Sequence, residues 1–194
     1  MNPRLTPDFV LSGYRAGVFP MADDAGDIYW YSPDPRTIFD LEGFKVSRSL
    51  RKTIQREVFE VRVDTAFDEV IAACADRPEG TWISTRIMKV YSALHRAGHA
   101  HSVESWQEGR LAGGLYGVSI GGAFFGESMF YRVTDASKVA LAALVTRLRE
   151  RGFRLLDTQW TTRHLEQFGV IEVSRRVYLS LLRRALARPC TFVD

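Results

Sequence analysis

The period of the apolar residues changes repeatedly along the chain, and each change marks an expected element. Thr6-Pro7-Asp8 opens a helix, with Thr6 as its cap and Pro7 in the first helical position, and the pattern ends near Gly17. Val18-Phe19-Pro20-Met21 leads into a turn over residues 23–27 and then an aromatic stretch, Ile28-Tyr29-Trp30-Tyr31. The two prolines of Ser32-Pro33-Asp34-Pro35-Arg36 predict a stiff, extended path. From residue 36 helical and extended patterns alternate. Ser47 caps a helix over about 48–56, Val58 to Val63 alternates as a strand, and Asp64 or Thr65 opens a helix running to about Ala75. Arg77-Pro78-Glu79-Gly80 reads as a loop, Thr81-Trp82-Ile83 as a short extended piece, and 85–97 as a helix ended by Gly98.

Three strands follow in a meander, at about 99–107, 110–119 and 123–131, with hairpin turns at Glu108-Gly109 and Gly121-Gly122. Asp135 caps a long helix over 136–151, which Gly152 stops. A buried strand from Phe153 to Trp160, a short helix around 162–168, a strand near 170–173 and a helix over 175–187 capped by Ser174 complete the chain. Antiparallel strands, a long helix, a strand and another helix give the order of an acetyltransferase-like α/β sandwich. Residues 1–35, rich in turn formers and aromatics, read as a small N-terminal domain ahead of a larger one over 36–194.

Composition narrows the class. The 194 residues suffice for a sizeable core without a disulfide or metal staple. Cys74 and Cys190 lie far apart with no CxxC or Cys/His ligand spacing, which argues for a reducing compartment and against a structural zinc site. No apolar run reaches the ~18 residues of a membrane span, and Met1-Asn2-Pro3-Arg4 does not open a signal peptide. A cytoplasmic protein is expected.

Charge is informative in kind. Only four of the 26 basic residues are lysines, and the other 22 are arginines, whose planar forks suit phosphate and carboxylate. Lys45, Arg48, Arg51, Lys52 and Arg56 stand with no acid between them, at helical spacing. Arg175, Arg176, Arg183 and Arg184 repeat at intervals of eight on the last helix. Such runs are commonly solvated helix faces, but two acid-free ones also fit a polyanion partner, with Trp30, Tyr31 and Trp82 available to stack nucleobases.

Candidate chemistry is sparse. His95, His99 and His101 with Glu104 have a metal-like density, but Gly98 breaks the helix between the first pair, so structural histidines are expected. Asp157 and Gln159 share one face at the end of a buried strand, where unpaired burial would cost several kcal/mol. They are either polar residues emerging at a strand end or a pair that holds an amine for acyl transfer. Glu127 is a carboxylate inside an apolar strand, suited to a cationic group or a raised pKa. A CoA-dependent acetyltransferase opens its long helix with a glycine-rich phosphate loop; here Asp135 occupies that position and disfavours CoA.

These residues carry a resemblance. Gly17-Val18-Phe19-Pro20, Trp30-Tyr31-Ser32-Pro33-Asp34-Pro35-Arg36, Gly80-Thr81-Trp82-Ile83 and Gly98-His99-Ala100-His101-Ser102-Val103-Glu104 are followed by Gly113-Gly114-Leu115-Tyr116-Gly117-Val118. Gly126-Glu127-Ser128-Met129-Phe130, Ala136-Ser137-Lys138 and Asp157-Thr158-Gln159 complete the ordered set, which spans about residues 13–180. The sequence resembles the leucyl/phenylalanyl-tRNA–protein transferases. The resemblance implies a GNAT-like α/β sandwich with a small N-terminal domain, no CoA, no other cofactor and no metal. It implies transfer of leucine or phenylalanine, with methionine a third candidate donor, from aminoacyl-tRNA to proteins that begin with arginine or lysine, as in N-degron degradation. It implies Asp157 and Gln159 as the catalytic pair, the Gln amide engaging the attacking amine and polarised by the Asp, with Glu127 positioning the reacting groups. Leu115, Phe124, Leu141, Leu144 and Leu156 would line the side-chain pocket, Met21 and Trp82 would meet the terminal adenosine, and Arg48, Arg51, Lys52 and Arg56 would face acceptor-stem phosphates. A monomer that leaves room for tRNA is expected.

The chain departs from the family's pattern in three places. The usual leader with a Gly-Gly-Asp-Leu-type segment is missing, so the small domain reads as abbreviated. Met21 stands where tryptophan is common, and Leu144 where an aromatic is common. The alternatives are a GNAT-type N-acyltransferase with another donor and a non-catalytic tRNA-binding protein.

Overall fold

The computed structural model describes residues 5–78 and 80–194; the opening tetrapeptide and Glu79 of the expected loop lie outside the described residues. Helix α1 (Pro7–Arg15) begins as its sequence dictates, with the Thr6 hydroxyl accepting the Phe9 N–H. A hairpin of β1 (Phe19–Ala22) and β2 (Ile28–Tyr31) follows. Then come β3 (Arg36–Phe39), α2 (Arg48–Gln55), β4 (Glu60–Val63), α3 (Phe67–Ala75) and α4 (Thr85–Arg96). The meander is β5 (Ala100–Gln107), β6 (Arg110–Ile120) and β7 (Ala123–Tyr131). The chain ends with α5 (Ala136–Glu150), β8 (Leu155–Gln159), α6 (Arg163–Glu166), β9 (Val170–Val173) and α7 (Arg175–Leu186).

Seven strands form one sheet in the order β4-β5-β6-β7-β8-β3-β9. Every neighbouring pair is antiparallel except β7 and β8, which are parallel. Apolar residues on each face of the sheet build a separate core, so the expected sandwich is the observed one. One core joins α1, α3, α4 and α7 through residues such as Val10, Ile71, Ile87 and Leu182. The other joins α2 and α5 through Leu50, Leu141, Leu144 and Leu148. Tyr14 and Phe19 are buried in the first of these cores, so the first 35 residues pack directly on the larger part of the chain.

The parallel pair sets the site. β7 and β8 hydrogen-bond only over Ala123–Phe125 and Leu155–Asp157, although β7 continues to Tyr131 and β8 to Gln159. Beyond Phe125 and Asp157 the two strands part, and a gap opens within the sheet.

Several boundaries differ from the sequence pattern. The strand expected from Val58 starts at Glu60, and the helix expected at Asp64 or Thr65 starts at Phe67. Asp64 instead accepts the Ser102 N–H at 2.8 Å and faces the His101 ring, holding the connection to β5. Thr81-Trp82-Ile83 pairs with no strand; the Trp82 carbonyl accepts from Ala22 and Ser84. Asp135 does not cap α5: its φ is +69°, and its side chain takes a hydrogen bond from Lys138 at 2.8 Å. β3 escaped the pattern because it is four residues long and begins with a charged side chain. No helix among the described residues is long and apolar enough to cross a membrane.

At the register shift between Tyr116 and Gly117, a side chain on Gly117 would collide with the Phe125 carbonyl and the Phe124 ring. Gly117→Ala is expected to lower the unfolding free energy by ~1–3 kcal/mol, read from the denaturant midpoint. An unchanged midpoint would contradict this packing.

Candidate active site

Asp157 stands where the parallel pairing of β8 ends and is fully buried, so its lone pairs must be met from within the protein. Arg36, the first residue of β3, meets two of them: Nε donates to Oδ1 at 2.9 Å and Nη2 to Oδ2 at 2.6 Å. Tyr178 of α7 donates to Oδ2 at 2.8 Å, and the Gln159 backbone N–H to Oδ1 at 3.0 Å. Arg36 also donates to the Gly17 carbonyl at 3.3 Å, and its guanidinium lies over the rings of Phe19 and Tyr178. Burial works against the Arg36 charge, but the Asp157 carboxylate outweighs it and raises its pKa. Burial, then the charge of Asp157, pushes the Tyr178 hydroxyl up, so it remains a donor.

Gln159 follows with φ +61°, a left-handed conformation that its N–H bond to Asp157 holds in place. The turn aims its amide across the gap to β7, where Nε2 donates to Glu127 Oε1 at 3.2 Å. Glu127 Oε2 accepts from the Tyr91 hydroxyl of α4 at 3.3 Å, and Tyr91 is hydrogen-bonded in turn to the hydroxyl of Tyr14 on α1. Burial pushes the Glu127 carboxyl up to about 8, against the hydrogen bonds from Tyr14 and Tyr91 that favour its charged form. Burial, then the nearby Glu127 charge, holds Tyr14 and Tyr91 protonated well above the ordinary tyrosine range.

A cavity of about 600 Å³ fills the gap between the strands. Phe39, Leu115, Met129, Leu141, Leu144 and Leu156 make its apolar wall, and Glu127 and Gln159 lie on its polar edge. Met21, Trp82, Trp160 and Arg77 also line it. Arg77 is held by the Cys74 and Met129 carbonyls and the Ser128 hydroxyl. Two buried side-chain atoms lack a hydrogen-bond partner among the described residues, Tyr116 Oη and His164 Nε2, and both residues line this cavity. Each is a polar group that water or a bound molecule can satisfy.

Two expectations about the pocket need correction. Met21, Trp82, Leu115, Leu141, Leu144 and Leu156 line the cavity as expected, but Phe124 does not. Its ring packs on Phe192 at 5.0 Å in the core on the α5 side. Asp157 does not polarise the Gln159 amide either: it holds the Gln159 backbone, and the amide is bonded to Glu127. Sequence reading missed Arg36, Tyr14, Tyr91 and Tyr178. Tyr91 shares a helical face with Ile87 and Leu94, a spacing that reads simply as core. Arg36 left one usable signal, a lone cation opening the apolar run Arg36-Thr37-Ile38-Phe39.

Outside the cavity, His101 Nδ1 faces Asp64 Oδ2 at 2.7 Å, and His95 bonds the Ala100 carbonyl and stacks on Phe67. Burial raises the Glu104 pKa, but hydrogen bonds from Thr65, Trp106, Ala66 and Ser102 outweigh it and hold the carboxyl below the ordinary range. Arg48, Arg51, Lys52 and Arg56 are exposed along α2 and its end, without ion pairs among the described residues. On α7, Arg176, Arg183 and Arg184 are exposed, while Arg175 donates to the Ser32 carbonyl. Trp30 is not an open platform: it packs edge-on against Phe9 and covers Gly13.

Comparison with known proteins adds an independent line. The family model described as leucyl/phenylalanyl-tRNA protein transferase matches residues 38–183, and that of its N-terminal domain matches residues 4–34. A leucyl/phenylalanyl-tRNA–protein transferase of Gloeobacter violaceus is 58% identical over 189 residues, 97% of each chain. One from Herpetosiphon aurantiacus is 55% identical over 193 residues, 99% of this chain and 100% of that one. Among solved structures, L-PGS from Bacillus licheniformis superposes with a TM-score of 0.49 at 14% identity, over 80% of this chain and 65% of that one.

Two outcomes follow from the site's electrostatics. Asp157→Ala strands a buried guanidinium and is expected to cost ~3–5 kcal/mol of stability in urea unfolding; a loss below 1 kcal/mol, on the order of a surface pair, would contradict the buried pairing. Folded Glu127 keeps its proton to about pH 8, whereas the unfolded chain releases it in the ordinary carboxylate range. The folded state therefore binds more protons between those values, and the stability due to that proton is full below the range and lost as pH rises toward 8. Glu127→Gln is expected to gain on the wild type across that window by up to ~1.4 kcal/mol per pH unit; parallel pH–stability curves would contradict the assignment.

Proposed function

The chain belongs to the leucyl/phenylalanyl-tRNA protein transferase family and is an aminoacyl-tRNA–protein transferase; we propose that its donor amino acid is leucine or phenylalanine and its acceptor a protein beginning with arginine or lysine. The observation that carries this reading is the cavity at the strand gap, apolar on one side and edged by Glu127 and Gln159 on the other. An unbranched-at-β hydrophobic side chain suits the wall of Phe39, Met129, Leu141, Leu144 and Leu156. One methylene is worth only ~1–3 kcal/mol in such a pocket, so methionine stands as a third candidate donor.

The donor is an ester and needs little further activation. The acceptor's amine attacks the ester carbonyl carbon, the bond to the ribose oxygen breaks, and the tRNA leaves with a free hydroxyl. Holding amine and carbonyl together accounts for much of the acceleration. Gln159 Oε1 has no partner among the described residues, which supports its accepting an N–H from the incoming amine. In this reading Asp157 is a positioning residue: it holds the turn that aims Gln159. The reaction as written requires no cofactor or metal.

Met21 and Trp82 are suited to the terminal adenosine, the thioether packing where a second ring would otherwise stack. Arg77, which lines the same cavity as Trp82, suits the adjoining phosphate. The exposed face of Arg48, Arg51, Lys52 and Arg56 suits the acceptor stem. Residues 36–194 carry the chemistry, residues 1–35 help to line the cavity, and the protein works as a cytoplasmic monomer whose product is marked for degradation.

The test uses purified protein, separately charged leucyl-, phenylalanyl- and methionyl-tRNA, and peptides beginning with Arg, Lys, Asp or Glu, read by mass spectrometry. One added residue on the Arg or Lys peptide is expected, with transfer reduced ~100-fold or more in Gln159→Ala. Addition to the Asp or Glu peptide alone would overturn the acceptor assignment, and no product with any pair would overturn the transferase reading. In the double variant Arg51→Glu/Lys52→Glu, tRNA binding should weaken and its salt dependence become shallower by about two counterions. An unchanged salt slope would remove α2 from the tRNA contact.

A further inference from the structure

Glu127 is the only acid among the described residues that line the cavity. The other acid close by, Asp157, is occupied by Arg36, Tyr178 and the Gln159 N–H and does not reach the cavity wall. Gln159 orients an amine, but a carboxamide is too weak a base to keep the proton that the amine must lose. Glu127 is bonded to the Gln159 amide that would hold the amine, so among the acids lining the cavity it is the group placed to take that proton.

The surroundings of Glu127 come from five other elements. Tyr14 on α1, Tyr91 on α4, Tyr116 on β6, Asp157 on β8 and Arg36 on β3 are the titratable groups around it. The two tyrosines in its hydrogen-bond chain remain protonated and so act as fixed donors. Their bonds and the one from Gln159 fix both carboxyl oxygens while one edge of the group stays open to the cavity.

Resting on the transferase reading above, we propose that Glu127 is the catalytic base of the reaction, with Tyr91 and Tyr14 as the positioning residues that hold it. The acceptor nitrogen forms its bond to the ester carbonyl carbon, and one N–H proton passes to the Glu127 carboxylate. When the tetrahedral adduct collapses, the C–O bond to the ribose breaks with its electron pair on oxygen, and Glu127 returns the proton to that oxygen. Amide and free tRNA hydroxyl are the products, the carboxylate is regenerated, and no oxidant or further reactant enters.

The proton affinity of Glu127 agrees with this role. Its value of about 8 lies beside the ~7.7–8.0 of an α-amino group and well below the ~10.4 of a lysine side chain. A proton therefore moves between Glu127 and an α-amine at little cost, whereas a lysine ε-ammonium keeps its own.

The experiment measures single-turnover transfer against pH, with saturating charged tRNA and an Arg-initiated peptide. The wild-type rate should rise with pH and level off above about 8. Tyr91→Phe and Tyr14→Phe each remove a hydroxyl that favours the charged carboxylate, so the inflection should move to higher pH by about half a unit to one unit. The acceptor amine titrates in the same range in every variant, so the displacement between variants reports Glu127. Glu127→Gln should lose ~10²–10⁴-fold in rate. Should Tyr91→Phe fail to fold by circular dichroism, Tyr14→Phe carries the same comparison. Product formation with an unmoved inflection in the tyrosine variants, or a Glu127→Gln rate close to wild type, would overturn the base assignment and leave the transferase standing. Absence of product from the wild type with every donor would overturn both.

Discussion

The ion pair between Arg36 and Asp157 is the interaction on which the rest of the site depends. Neither side chain is more than 1% exposed, so both charges have left water and must be satisfied inside. A pair of that kind contributes little net stability, because desolvation consumes most of the Coulomb gain, but it strongly penalises arrangements in which either partner is missing. Its value here is placement. It joins β3 to β8, takes in Tyr178 from α7, and reaches the Gly17 carbonyl after α1. Through the Gln159 N–H it also fixes the left-handed turn at the end of β8.

The turn matters because β7 and β8 part there. A continuous pair of strands would bury Glu127 and Gln159 against each other's backbones; the gap gives them a cavity instead. Two carboxyl groups of similar chemistry then acquire different tasks from their surroundings. Asp157 accepts bonds from a guanidinium, a phenol and a backbone N–H, and serves as a strut. Glu127 has neutral donors and a face on the cavity, and burial lifts its proton affinity into the range of an amine. In the proposed reaction an amine meeting an activated ester at this edge needs orientation and a proton acceptor, the tasks proposed for Gln159 and Glu127.

Much of this was legible in the sequence. The meander, the long α5 and the capped α1, α2 and α7 follow from apolar period, Gly turns and Ser or Thr caps, because local rules govern them. Asp157, Gln159 and Glu127 stood out as polar residues in apolar strands, and six of the seven expected pocket residues line the cavity. What failed was long-range. Arg36 and Asp157 are 121 residues apart, and no local pattern pairs them. Tyr14 and Tyr91 occupy ordinary core positions on two helices, so their shared link to Glu127 is visible only once those helices meet. Phe124 was misplaced because period two identifies a buried strand residue without saying whether it faces the cavity or the Phe192 side of the core.

In the proposed reaction the gap between β7 and β8 seats the donor's side chain and presents its carbonyl to Gln159 and Glu127. The decisive measurement is a crystal structure with a non-hydrolysable, amide-linked phenylalanyl-adenosine. The phenyl ring should lie among Phe39, Leu141, Leu144 and Leu156, the adenine against Trp82, and the carbonyl carbon beside the Gln159 amide. A ring bound outside that wall, or a carbonyl turned away from Glu127 and Gln159, would show that the gap does not seat the donor.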